Sequence, residues 1–163
     1  MNIDRILQAL QDEDVDYILI GGVNFLLHHE PELTFDVDIW VADHDVNLSK
    51  LNRALIALDA AWGPTEKEWV PVAIDPGWLK RQAVYCLTTA HGALDIFRAV
   101  KGLEGKYMEC RAAARRSETA TRVPYVGLSD RHMLDCQEAL APGERKQRRI
   151  EVLRKAIVST QAP

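Results

Sequence analysis

Along the first ten residues Ile3, Ile6, Leu7 and Leu10 recur at spacings of three and four, which puts one apolar stripe on an amphipathic helix. Acidic residues at 12–14 and 16 end that stripe. Asp16-Tyr17-Ile18-Leu19-Ile20 then reads as a short strand, apolar enough to be buried on both faces. Gly21-Gly22 breaks it. Val23, Leu26 and Leu27 return to helical spacing as far as His28-His29, and Pro31, which has no N–H to donate, closes that helix. The clearest alternation in the chain runs from Thr34 to Val41. It puts Phe35, Val37, Ile39 and Val41 on one face of a strand and Thr34, Asp36, Asp38 and Trp40 on the other. Leu48, Leu51, Leu55, Leu58 and Trp62 then predict a helix capped by Asp45.

The stretch from Gly63 to Pro76 is irregular, with room for a short strand at 69–74. Gln82–Thr89 and Ala93–Phe97 read as two strands joined by a tight turn at Ala90-His91-Gly92. Past Gly105 the pattern is mostly helical, over about 106–117, 129–140 and 143–158, with a last short strand at Thr121–Val126. The expected fold class is α+β (mixed α/β): a small mixed sheet flanked by helices, with a helical C-terminal extension. The 163 residues are expected to form a single domain, its core over about 1–100 and its helical part over about 101–163.

Composition narrows the class. The chain is 47% hydrophobic and 27% charged, with neither repeats nor a low-complexity tract. No apolar run approaches the roughly 18 residues that span a bilayer. The N-terminus shows no basic leader followed by an apolar block, and Cys86, Cys110 and Cys136 form no CxxC pair. A cytoplasmic protein without membrane contact is therefore expected, and Cys86, in an apolar strand, is expected to be core. The net charge of −4 conceals a division, since residues 1–97 carry a balance of −10 and residues 98–163 one of +6. Such a division fits an acidic metal site in one half and an anion-facing surface in the other, or simply two solvated faces.

The candidate chemistry lies in the acidic half. Residues i and i+2 of a strand share a face with Cα atoms roughly 6.5–7 Å apart, so Asp36 and Asp38 repel unless a cation lies between them. Hard divalent ions such as Mg²⁺ take oxygen ligands of this kind. Asp95, flanked by Leu94 and Ile96 in a second predicted strand, supplies a third carboxylate. Gly21-Gly22 lies where a strand turns into a helix, so a phosphate can approach the backbone and the free N–H groups of the first helical turn. His28-His29 and Asp43-His44-Asp45 read as capping and surface residues, and Trp40 as either a cleft wall or ordinary packing.

Ile20-Gly21-Gly22, a thirteen-residue interval, Asp36-Val37-Asp38-Ile39 and then Asp95 together resemble the DNA polymerase β-type nucleotidyltransferase superfamily. The likeness is to its small bacterial members, the minimal nucleotidyltransferases of toxin–antitoxin systems and the small antibiotic nucleotidyltransferases. It covers about residues 15–98 in motifs and the remainder in outline. Many relatives of the toxin–antitoxin type carry Arg where this chain has Glu32, and others carry Ser where it has Gly22. The resemblance implies transfer of a nucleoside monophosphate from an NTP to an acceptor hydroxyl, with release of pyrophosphate. It implies catalytic and metal-binding roles for Asp36, Asp38 and Asp95, which would hold two Mg²⁺ ions, or Mn²⁺ in their place. Gly21 and Gly22 would bind the nucleotide's outer phosphates. The implied acceptors are RNA, protein or a small molecule, and a toxin or antitoxin partner is one implied association.

Two other classes stay open on the residues alone. Clustered acids also serve metal-dependent nucleases, although those of the restriction type want an acid-x-Lys pair, and Asp95 is followed by Ile96-Phe97. The same fold can also persist as a catalytically inert partner-binding module. Arg145, Arg148 and Arg149 fall at i, i+3 and i+4 of the predicted last helix, so they can form a basic stripe for an anionic acceptor or a solvated face.

Overall fold

The computed structural model describes residues 1–161 of the chain. Six α-helices and eight strands alternate in it: α1 (Ile3–Asp12), β1 (Tyr17–Ile20), α2 (Gly21–His28), β2 (Asp36–Val41), α3 (Asp45–Ala57), β3 (Ala61–Trp62), β4 (Val70–Pro71), β5 (Val84–Thr89), β6 (Gly92–Phe97), α4 (Tyr107–Ala112), β7 (Arg115–Glu118), β8 (Pro124–Gly127), α5 (Asp130–Ala139) and α6 (Gln147–Gln161). The strands form one mixed sheet in the order β4-β3-β5-β6-β2-β1-β8-β7. The architecture is thus mixed α/β with a C-terminal helix, in the class that the hydrophobic pattern predicts. No helix among the described residues is long and apolar enough to cross a membrane.

The two central strands do different things on their two faces. Val37, Ile39 and Val41 of β2 join Leu19, Leu94 and Ile96 in a core beneath Ile6, Leu7 and Leu10 of α1 and Leu48, Leu51 and Leu55 of α3. On the opposite face Trp40 packs with Ile18, Ile20 and Phe25 against Met133 and Leu134 of α5 and Ile150 and Leu153 of α6. Alternation along β2 therefore feeds two cores, and the C-terminal helices cover only part of the second face. Trp40 is packing, not cleft wall: it is buried, meets Tyr107 edge-on at 5.1 Å and donates its indole N–H to the Arg98 carbonyl at 3.3 Å.

Several boundaries differ from the sequence expectation, each for a local reason. β2 starts at Asp36, where pairing with Ala93 of β6 begins, and Phe35, ahead of that pairing, is 76% exposed. α3 is capped by His44, whose Nδ1 accepts the Asn47 N–H, while Asp45 sits in the first turn and pairs with Lys80. That helix ends at Ala57, and Asp59 turns the chain with a left-handed backbone (φ 51°). Trp62 is consequently in β3, where it stacks on Trp78 and meets Tyr85 edge-on. The helix expected over 106–117 stops at Ala112 because it buries only Cys110, and Arg115–Glu118 instead pairs with β8 through backbone hydrogen bonds.

The uneven charge distribution resolves into pairing between the halves. Arg98 holds Asp43 through two hydrogen bonds of 2.9 and 2.8 Å, and Arg111 holds Asp16 at 2.7 Å. Arg148 and Arg149 hold Glu30 and Glu32. His28 and His29 are inter-element contacts, not surface groups: the His28 ring packs on Tyr125, and His29 Nε2 lies 2.9 Å from Asp130 Oδ1. We expect Trp40→Ala to lower unfolding free energy by about 3–5 kcal/mol. Phe35→Ser should change it by no more than about 0.5 kcal/mol, because the ring is already in solvent. Urea denaturation of the two variants checks the contrast between two aromatics of one sequence segment.

Candidate active site

Register builds the site. In the parallel β2–β6 pair Asp38 stands directly beside Asp95, and Asp36 beside Ala93. Asp36 and Asp38 are two residues apart on one strand, so all three carboxylates project from one face. One oxygen from each lies within 4.8 Å of the others, and all three residues are half-buried. β5 extends the row, since Cys86 stands beside Asp95, and its thiol donates to Asp95 Oδ2 at 3.3 Å. Cys86 is thus exposed beside the acids and not core. Its alternate position in an apolar strand gave the burial expectation, but at this end of the sheet that face is uncovered.

Gly21 and Gly22 are packed against the acids. Gly21 has φ +65°, and a Cβ there would lie 1.8 Å from Asp38 Oδ2. A Cβ on Gly22 would lie 2.6 Å from Thr34 Oγ1. The helix begins at Gly21 itself, not at Val23, so the pair forms the first turn of α2. The Gly22 N–H faces the Asp38 carboxylate and holds its proton affinity down. Thr34 donates to Asp36 Oδ1 at 3.1 Å. Close backbone approach, which only glycine permits, is what allows α2 to sit over Asp38.

Burial and mutual repulsion dominate the electrostatics of the site. Burial first, and then the charges of Asp36 and Asp95, push Asp38 from its ordinary 3.8 up to about 6. Asp95 is also raised, by burial and by Asp36, with the Cys86 hydrogen bond opposing. The Cys86 thiol is pushed up to about 11 by burial and the neighbouring carboxylates, so it stays protonated. An all-oxygen donor set that raises its own proton affinity fits a hard divalent cation such as Mg²⁺. Asp36, Asp38 and Asp95 are the residues that could hold it.

Two solved structures of the antibiotic-resistance factor ANT(2'')-Ia superpose on this chain. Its solution structure matches with a TM-score of 0.58 and 13% identity, over 97% of this chain and 82% of the other. Its crystal structure with adenylyl-2''-tobramycin matches with a TM-score of 0.55 and 15% identity, over 97% and 87%. The chain has a nucleotidyltransferase fold. No family model and no curated protein sequence matches it. The nucleotidyltransferase fold is therefore carried here by architecture, with little sequence in common.

Arg149 is a neighbour of the site that spacing does not reveal. Its i, i+3, i+4 spacing with Arg145 and Arg148 predicts a shared helix face. Arg145 instead precedes α6 and donates to the Leu140 carbonyl at 2.8 Å, while Arg149 is 7% exposed and its charge reaches Asp38. The three do not form a basic stripe.

The raised Asp38 pKa has a definite sign. A folded value above the unfolded one means that ionising Asp38 costs stability, and the cost grows as pH rises from about 4 to 6. In metal-free protein at pH 7, Asp38→Asn should therefore be more stable than wild type by about 3 kcal/mol, with the difference vanishing below pH 4. Mg²⁺ should narrow that gap by stabilising only the wild type. Urea titrations across pH, with and without Mg²⁺, check this.

Proposed function

We propose that the protein is a Mg²⁺-dependent nucleotidyltransferase that moves a nucleoside monophosphate from an NTP to an acceptor hydroxyl. The observation that carries the reading is the convergence of Asp36, Asp38 and Asp95 beside the Gly21–Gly22 turn. The nucleotidyltransferase fold supports it, as does an ANT(2'')-Ia structure whose bound ligand is adenylyl-2''-tobramycin, an adenylylated product. Mn²⁺ meets the same ligand requirement. A hydroxyl on a small molecule is the acceptor class favoured by that likeness, with RNA and protein hydroxyls as alternatives to be measured alongside it.

In this reading Asp36, Asp38 and Asp95 would hold the divalent cations, whose positive charge would stabilise the developing charge on the transferring phosphoryl group. Asp95 orients the acceptor hydroxyl and takes its proton. The hydroxyl oxygen bonds to the α-phosphorus, the bridge to the β-phosphorus breaks, and pyrophosphate leaves with the bond's electron pair. Thr34 keeps Asp36 aimed, and Gly22 does the same for Asp38. The first turn of α2 would receive the outer phosphates at its N–H groups.

Incubation with each of the four NTPs, Mg²⁺ and a panel of aminoglycosides, RNA and protein acceptors should add one nucleoside monophosphate mass to one acceptor. Asp38→Asn should lower that rate by at least about 100-fold while the protein stays folded, since only a charge aimed at the reaction is lost. EDTA should stop it, and Mg²⁺ restore it. Hydrolysis of nucleic acid without any acceptor adduct would point to a nuclease instead. Tight nucleotide-independent binding with no reaction would point to an inert partner-binding module.

A further inference from the structure

α6 meets the site through charge. Glu32 accepts from Arg149 Nε at 3.1 Å and from Arg149 Nη2, and Lys146 Nζ pairs with the same carboxylate. A carboxylate gripped by a guanidinium fork and an ammonium is a phosphate-like occupant of a phosphate-like seat, because both anions offer paired oxygens to the same donors. The Arg149 guanidinium is held on another side by the Phe25 ring, 5.2 Å from its centroid. Phe25 lies four residues after Gly21 on α2, so Arg149 sits one helical turn beyond the glycine pair. A cavity of about 290 Å³ opens there, with Phe25, Glu32, Lys146 and Arg149 among its walls.

Two cations converge on one carboxylate at this spot. Lys146 and Arg149 share the single carboxylate of Glu32, while Arg148 pairs with Glu30 and Glu151. Arg149 has 8% of its side chain exposed, a costly place for a charge with no task beyond one ion pair. Lys146, by contrast, has 53% of its side chain exposed and can turn to a new partner.

We propose that Lys146 and Arg149 form the seat for the outer phosphates of the nucleotide, and that Glu32 occupies this seat in the free protein. The inference rests on the nucleotidyltransferase reading and goes past it by naming the phosphate-binding cations and an internal competitor. An incoming triphosphate takes over donors now held by Glu32. Glu32 thus lowers nucleotide affinity in exchange for keeping a half-buried cation cluster paired in the empty site.

Calorimetry with inorganic tripolyphosphate and each NTP, at fixed Mg²⁺, tests this. Lys146→Gln and Arg149→Gln should each weaken binding by about tenfold, the loss of one charge-assisted contact. Glu32→Gln should tighten it by about threefold or more, because the competing anion is gone. If Arg149→Gln does not fold, Lys146→Gln carries the test, since its side chain is half in solvent. Unchanged affinity in folded Lys146→Gln protein, or weaker binding in Glu32→Gln protein, overturns the proposal while leaving nucleotide transfer intact. Absence of any NTP binding to the wild type overturns the nucleotidyltransferase reading together with it.

Discussion

Three carboxylates within 4.8 Å of one another repel, and much of the structure around them is arranged to hold them there. β2 and β6 run parallel with Asp38 beside Asp95, so backbone hydrogen bonds set the spacing that electrostatics resists. Burial first, and then the neighbouring carboxylates, raise the proton affinity of Asp38 and Asp95. Single donors from Gly22 and Thr34 offset part of it, and the remainder is what gives the cluster its appetite for a divalent cation.

The two cores share the work of holding that strand pair. Beneath the sheet, α1 and α3 bury the apolar faces of β2 and β6 completely, which fixes the register. Above it, the C-terminal helices pack on Trp40 and Ile18 but stop short of the acids. The uncovered end of that face is where Asp36, Asp38, Asp95 and Cys86 meet solvent. A site results where one layer is incomplete, with the rigid strands beneath it undisturbed.

Charge ties the incomplete layer down. The acidic first part of the chain and the basic last part join through Asp16–Arg111, Asp43–Arg98, Glu30–Arg148 and Glu32–Arg149. Most of these pairs are partly exposed, and each contributes little stability alone. Their consequence is placement: they bring α6 and its buried Arg149 to the rim of the acidic cluster, where its positive charge is felt by Asp38.

Periodicity alone determined the mixed α/β class, the β2 alternation and the common face of Asp36 and Asp38, because a strand's two-residue repeat is a local property. The glycine pair was legible as a break, though not as the close seat for Asp38. Whether Asp95 joined the other acids depended on β6 pairing parallel to β2 in one register, a long-range choice. The exposure of Cys86 is not legible in its strand, because it depends on what covers a face, and α5 and α6 leave that end of the sheet open. β7, with Arg115-Arg116-Ser117-Glu118, has no apolar pattern and exists through its backbone pairing with β8. Arg149 shows the same limit: its spacing matched a solvated stripe, whereas docking of α6 buried it against Phe25 and Glu32. Local chemistry is written in residue order; which groups share one space is decided only when distant segments pack.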